Sequence, residues 1–176
     1  MAAQPAALDV ITMGRCSIDL YGQQIGSRLE DIGSFAKSVG GSPTNIAIGT
    51  ARLGLRSGLI TRVGDEQMGR FVLEQMGREG VSTRGIKTDP ARLTSLVLLA
   101  VESDKAFPLI FYRDNCADSA LCEDDVNEDF IRDAGALLVT GTHFAREVND
   151  KAQRKAMALA KKHGRRIIID IDYRPN

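Results

Sequence analysis

The sequence predicts an α/β fold in which helices flank a mostly parallel sheet. Apolar, β-branched runs of strand length alternate along the chain with segments of helical periodicity. These runs are apolar throughout, which is typical of parallel strands covered on both faces. Two hairpin-like segments, at about 15–38 and 94–113, interrupt the alternation and predict a small second sheet, or lid. Residues 1–176 are interpreted as part of one domain, because the chain has ordinary single-domain length.

The individual elements follow from local patterns. Pro43 suits a first helical turn, where its missing N–H would be unpaired anyway, and Gly54 is a helix terminator. In chain order the predicted elements are strand Leu8–Met13, helix Pro43–Leu53, strand Ser57–Val63, helix Glu66–Glu79, strands Ser95–Val101 and Leu109–Tyr112, a short helix Asp124–Asp133, strand Ala136–Thr140, helix Asn149–Lys162 and strand Arg166–Ile171. Asn149 or Asp150 is the predicted N-cap of the last helix.

Composition excludes several classes of function. Lys plus Arg and Asp plus Glu balance at 23 each, which argues against a nucleic acid or an anionic membrane as partner. No apolar run approaches the ~20 residues that span a bilayer, and the N-terminus lacks a secretion signal. Three cysteines without a CxxC pair predict reduced thiols and a cytoplasmic location. His143 and His163 stand far apart without other ligands nearby, so no metal site is expected, and His143 is interpreted as a local hydrogen-bond partner.

Residues 40–64 contain the most informative pattern. The pair Gly40 and Gly41 lets the main chain approach a ligand without interference from a Cβ atom. Asn45, in the first turn of the following helix, offers both a donor and an acceptor to a polyhydroxylated molecule. Asp19 follows the carboxyl end of the first strand, where ligands of open α/β sheets bind, and a carboxylate accepts strong hydrogen bonds from hydroxyls. The alternatives are glycines that only permit close packing and a solvated loop aspartate.

The ordered set Gly-Gly, Pro-x-Asn-x-Ala and two later glycines resembles the first signature of the ribokinase-like, or PfkB, carbohydrate kinases. The resemblance implies a ribokinase-like fold, ATP and Mg²⁺ as cofactors, and substrate hydroxyls held by Asp19, Gly40, Gly41 and Asn45. It also implies that the small sheet covers the sugar site and forms a homodimer interface. Neither a dinucleotide fingerprint nor a Walker-type phosphate loop is present, which argues against a nicotinamide dehydrogenase.

Two arginines extend the resemblance to the branch of the family that acts on keto sugar acids. Arg113 closes the run FPLIFYR, and an arginine binds a carboxylate bidentately, which a neutral sugar would not require. Arg174, in the ending DIDYRP, is a second candidate for the anionic end of a substrate, and Asp172 stands where many relatives have Asn. The alternative for Arg113 is a surface ion pair with Asp114 or Asp118, worth ~0–1 kcal/mol.

The resemblance implies phosphorylation of a small-molecule sugar acid, specifically 5-dehydro-2-deoxy-D-gluconate to its 6-phosphate in myo-inositol catabolism. A 2-keto-3-deoxygluconate kinase or a fructokinase-type enzyme is the runner-up. The family's second signature, a Gly-Ala-Gly-Asp helix N-terminus with the general base, has no counterpart in these 176 residues. We therefore expect the substrate-side, N-terminal part of a kinase, with the C-terminal part of the fold and the catalytic base absent and little activity alone. A non-catalytic sugar-acid-binding or dimerising fragment is the remaining alternative.

Overall fold

The structure is a computed structural model that describes residues 7–173. Nine strands and four helices make up this part of the chain. In chain order they are β1 Leu8–Met13, β2 Ser17–Gly22, β3 Phe35–Gly40, α1 Ser42–Arg52, β4 Ser57–Gly64, α2 Gln67–Arg78, β5 Ser82–Asp89, β6 Ser95–Leu99, β7 Leu109–Tyr112, α3 Glu128–Arg132, β8 Ala134–Thr140, α4 Glu147–Lys162 and β9 Arg166–Asp170. Single 3-10 turns lie at Leu29–Asp31, Ala117–Ala120, Glu123–Asp125 and Gly141–Ala145.

The main sheet has five strands in the order β5-β4-β1-β8-β9, and every neighbouring pair is parallel. The predicted mostly parallel sheet is therefore confirmed. β1 lies at the centre, and its last residue, Met13, is in register with Ile60 of β4 and Val139 of β8. Because all strands run in the same direction, their carboxyl ends meet at one edge of the sheet.

Helices cover both faces of this sheet. Leu59 of β4 packs in a cluster with α1 and α2, whereas its neighbour Ile60 packs in a second cluster with α3 and α4. Successive strand residues point to opposite faces, so the two clusters lie on opposite sides of the sheet. Ala152, Ala156 and Ala160 recur every fourth residue along α4 and are fully buried. No helix within residues 7–173 is long and apolar enough to cross a membrane.

A second, four-stranded sheet has the order β3-β2-β6-β7. β2 pairs antiparallel with β3, β6 pairs antiparallel with β7, and the two pairs join through a parallel contact between β2 and β6. Asp19 of β2 lies between Ser38 of β3 and Val97 of β6 in this register. All four residues of β7 are exposed. The function of this small sheet as a lid stays a prediction.

The structure adds one strand that the sequence pattern did not indicate. β5 has the sequence STRGIKTD, in which only Ile86 is a large apolar residue. It forms an edge of the main sheet and pairs only with β4 among the described strands. An edge strand contacts the core along one side, so it needs few apolar residues and gives a weak hydrophobic signal.

The start of α4 differs from the prediction. The helix begins at Glu147, with Arg146 at the N-cap position, so neither Asn149 nor Asp150 is the cap. Asn149 is fully buried in the first turn, and its Nδ2 donates to the main-chain oxygens of Ser119 and Leu121 instead of its side chain accepting from the helix. A good capping residue type was therefore used for a tertiary contact. The predicted helix at 124–133 is also shorter, because a 3-10 turn precedes α3.

Candidate functional site

A cavity of about 780 Å³ lies between the small sheet and the carboxyl ends of the main sheet. The small sheet contributes an apolar wall, which consists of Val97, Leu99, Leu109 and Phe111. The same sheet contributes the polar Ser17 and Asp19 of β2, and the remaining polar lining consists of Arg15, Gly41, Ser42, Asn45, Arg113, Asp170 and Asp172. An apolar lining combined with a few convergent polar groups is the usual construction of a small-molecule site.

Asp19 lies within β2, partly buried, and is not a solvated loop residue. Ser17 Oγ donates a hydrogen bond to Asp19 Oδ1 at 2.9 Å. Burial raises the pKa of the Asp19 carboxyl, while the Ser17 hydrogen bond and the charge of Arg15 act in the opposite direction. A carboxylate in this position offers strong acceptors to ligand hydroxyls in the cavity.

Gly40 and Gly41 are required for two different steric reasons. A Cβ atom on Gly40, at the end of β3, would overlap the Asp19 carboxylate. Gly41 has a φ of +97°, and a Cβ there would overlap the main-chain oxygen of Arg15. Gly41 lines the cavity, whereas Gly40 makes room for the carboxylate beside it. The sequence pattern did not separate these two functions.

Asn45 lies in the first turn of α1, where its N–H donates to the Gly41 oxygen at 2.9 Å. Its side chain is exposed and lines the same cavity as Asp19. The Asn45 amide makes no hydrogen bond with any other described residue, so both its donor and its acceptor are available. The structure thus brings Asp19, Gly41 and Asn45 to one cavity, and their contact with a substrate stays a prediction.

Arg113 directly follows β7 and lines the cavity. It forms an ion pair with Asp118, whose side chain is fully buried. The pairing alternative is therefore present in the structure, but as a buried pair rather than a surface one. Arg113 Nε is buried without a hydrogen-bond partner among the described residues. One donor of this arginine thus lacks an acceptor, although Asp118 already fixes the orientation of the guanidinium.

The ending DIDYRP lies only partly within the described residues. Arg174, the second predicted contact for a carboxylate, lies outside them. Asp170 accepts a hydrogen bond from Ser42 Oγ at 2.6 Å, and Asp172 accepts one from Thr142 Oγ1 at 3.1 Å. These contacts join the end of β9 to the start of α1 and to the turn after β8.

Arg15 is the main site residue that the sequence pattern missed. It follows β1, pairs with Asp172 at 3.6 Å and has a side chain that is only 11% exposed. Its position directly after the central strand was a usable signal, since ligands bind at the carboxyl ends of parallel strands. The Asp172 carboxylate pairs with it as a charge, which an Asn at this position could not do. The sequence pattern also missed Ser42 and Asp170, because they are far apart in the chain and their polar atoms meet only in the folded protein.

The described residues include no group of three or more His, Cys, Asp or Glu side chains that could hold a metal ion. All three cysteines are free thiols. Burial raises the pKa of the Cys16 thiol to about 12.

Curated relatives resemble almost the whole chain. The protein named 5-dehydro-2-deoxygluconokinase from Geobacillus kaustophilus is 42% identical over 173 residues, which cover 98% of this chain and 52% of that protein. The protein of the same name from Bacillus subtilis is 39% identical over 170 residues, which cover 96% of this chain and 52% of that protein. The chain thus spans about half the length of the curated relatives it matches.

Solved structures of sugar kinases are also similar to the chain. A PfkB protein from Polaromonas has a TM-score of 0.89 at 32% identity, over 96% of this chain and 57% of that one. A sugar kinase from Pyrococcus horikoshii in complex with ATP has a TM-score of 0.82 at 29% identity, over 94% and 53% of the two chains. The model of the pfkB family carbohydrate kinases matches residues 7–175. The chain therefore belongs to the pfkB family of carbohydrate kinases.

Proposed function

We propose that the protein uses ATP to phosphorylate 5-dehydro-2-deoxy-D-gluconate to its 6-phosphate, a reaction of myo-inositol catabolism. The observation that supports this most is one cavity that combines Asp19 and Asn45 with Arg113. The names of the curated relatives support the same substrate, and the ATP complex of the similar sugar kinase from Pyrococcus horikoshii supports the same phosphoryl donor.

The substrate's two kinds of polar group match the two kinds of side chain in the cavity. Asp19 accepts hydrogen bonds from hydroxyls, and the Asn45 amide both donates and accepts. Arg113 binds the carboxylate, for which a neutral sugar has no equivalent group. Leu109 and Phe111 cover the sugar carbons and exclude water, which strengthens the polar contacts in the cavity.

The chemical step requires more than these residues. Phosphoryl transfer needs a general base for the attacking hydroxyl and donors for the developing charge. The family resemblance assigns both to a Gly-Ala-Gly-Asp segment, which the 176 residues do not contain. Mg²⁺ would neutralise phosphate charge when bound, and we assign no residue of this chain to it. The residues proposed here bind and orient the substrate.

An ADP-release assay on the product of the full-length gene tests the proposal. We expect a higher kcat/KM for 5-dehydro-2-deoxygluconate than for 2-keto-3-deoxygluconate or fructose. Arg113→Ala should lower kcat/KM for the two acids about tenfold to a hundredfold, as expected for a lost charge-assisted contact, and leave fructose almost unaffected. Arg78→Ala is the matched control, since Arg78 is exposed and pairs only with Glu74 among the described residues.

Three results would contradict the proposal. They are a preference for fructose, an equal effect of Arg113→Ala on acidic and neutral substrates, and sugar-acid binding without any ADP release. The last result would instead support a non-catalytic sugar-acid-binding protein.

We also propose that the protein forms a homodimer through the small sheet. The side chains of β7 alternate between the cavity, which Leu109 and Phe111 line, and the outer face, where Ile110 and Tyr112 are exposed. An exposed apolar strand at a sheet edge favours association. Ile110→Asp should convert the dimer to a monomer in light scattering, whereas Leu53→Asp, at a more exposed apolar position at the end of α1, should not. A monomeric unmodified protein would contradict this proposal.

A further inference from the structure

A second cavity, of about 360 Å³, lies beside the first. The two cavities share Arg15, Arg113 and Asp172 as lining residues. The remaining wall of the second cavity comes from the turn Gly141–Ala145 and from the start of α4 at Arg146. Of the substrate contacts proposed above, only Arg113 lines this space.

The charges of the two cavities differ. The first contains three carboxylates and two arginines. The second contains three arginines, Arg15, Arg113 and Arg146, while Asp172 is the single carboxylate among the described residues that line it. Asp118 lies buried behind Arg113 and pairs with it. Arg146 makes no ion pair within the described part of the chain, so the second cavity has an excess of positive charge.

Two buried side chains of this wall have polar atoms without partners. His143 is 2% exposed, and its ring interacts with the main chain of Asp118, although neither ring nitrogen makes a hydrogen bond of standard geometry with a described residue. Asn149 donates through Nδ2 to two main-chain oxygens, which leaves its buried Oδ1 without a donor. Buried polar atoms are rarely left unpaired in this way, and a ligand with an acceptor would satisfy the N–H of His143.

The pKa of His143 is also affected by the positive charges around the cavity. Burial, followed by the charges of Arg113 and Arg15, lowers its pKa to about 3, so the ring is neutral near pH 7. A neutral imidazole has one N–H, which can donate to an anion without adding a further positive charge.

We infer that the second cavity binds an oxyanion, either a carboxylate or a phosphate group, through Arg113, Arg146 and the ring N–H of His143. Arginine forks match the planar carboxylate and the tetrahedral phosphate equally well. Two sources of this group are chemically equivalent: the acid end of a substrate that extends past Arg113, and free inorganic phosphate. The inference rests on the geometry of the cavity and does not require the phosphorylation proposed above.

Titration calorimetry on the full-length protein tests this inference with three probes: inorganic phosphate, gluconate, and glucitol as the neutral counterpart of gluconate. We expect at least one of the two anions to bind and glucitol to bind more weakly than gluconate. Arg146→Ala should weaken the affinity for the anion about tenfold or more, because it removes a charge-assisted contact. Arg154→Ala should leave binding unchanged, since Arg154 is an exposed arginine of the same helix that pairs with Asp150.

The two sources give different patterns. If the binding of gluconate but not of phosphate depends on Arg146, the cavity holds the acid end of the sugar. If the binding of phosphate depends on Arg146, the cavity is a phosphate subsite. Absence of anion binding, or equal anion affinity of the unmodified protein and Arg146→Ala, would overturn the inference. Arg146→Gln, which keeps the Cβ and Cγ methylene groups and a polar end, replaces Arg146→Ala if that variant does not fold. If the protein releases ADP but its anion binding does not depend on Arg146, only this inference is contradicted. If anion binding depends on Arg146 but no ADP is released, only the proposed phosphorylation is contradicted.

Discussion

Replacing Gly40 by alanine tests how the candidate site is constructed. A Cβ on Gly40 would overlap all three atoms of the Asp19 carboxyl group. Gly40 is paired with Ser17 in the β2–β3 ladder, and Ser17 holds the same carboxylate through its hydroxyl. The alanine therefore forces either the carboxylate out of its position or the two strands apart.

The size of the effect follows from these two responses. Overpacking of a well-packed region costs about 1–3 kcal/mol, which we expect as a loss in the free energy of unfolding. Displacement of Asp19 also removes a hydrogen bond from its charged carboxylate to a substrate hydroxyl, worth about 1.5–3 kcal/mol. Since about 1.4 kcal/mol corresponds to a tenfold change in affinity, the dissociation constant of the sugar acid should rise roughly tenfold to a hundredfold.

Urea unfolding and titration calorimetry measure the two effects. Gly49→Ala is the matched control: a Cβ there meets no atom within 4 Å, and alanine in a helix is neutral or slightly stabilising. In the Asp19→Ala background the steric conflict is absent, so Gly40→Ala should cost little stability there. An equal cost in both backgrounds, or unchanged affinity for the sugar acid, would refute the reasoning.

Three further predictions concern stability and are measured by urea unfolding. Glu66→Ala should cost about 1 kcal/mol, because the Glu66 carboxylate caps α2; no loss would contradict this. Arg62→Ala should cost about 3–5 kcal/mol, because it leaves the buried Asp125 carboxylate without a cation, whereas Asp89 keeps its ion pair with Arg92; a loss below about 1 kcal/mol would be inconsistent with burial. The folded pKa of His143, about 3, lies below its unfolded value of 6.5, so stability is full above 6.5 and falls as pH decreases towards 3. His143→Gln should remove about 2 kcal/mol of the loss between pH 6.5 and about pH 5, and an unchanged pH profile would exclude this origin.

The fold was largely predictable because its central strands are apolar and continuous. β1, β4 and β8 are covered on both faces, so each is visible as an uninterrupted run in the sequence. β5 was not, since its single large apolar residue, Ile86, gives no periodic signal. The parallel contact between β2 and β6 was also beyond prediction, because local patterns identify strands but not their partners.

The candidate site was predictable where a local motif defines it. Asp19, Gly40 and Asn45 belong to segments whose spacing is itself informative, and the structure brings them close together. Arg15 and Arg146 have no such motif, since each is one basic residue among 23 and gains its meaning only from the cavity it lines. The ring of His143, interpreted from sequence as a local hydrogen-bond partner, is buried and interacts with the main chain of Asp118.

A crystal structure of the full-length protein with bound 5-dehydro-2-deoxygluconate tests the central claim most directly. We predict ligand hydroxyls at about 3 Å from the Asp19 carboxylate and the Asn45 amide, with the carboxylate of the sugar acid directed towards Arg113. A sugar acid bound elsewhere, or bound here without contact to Asp19 and Asn45, would contradict it.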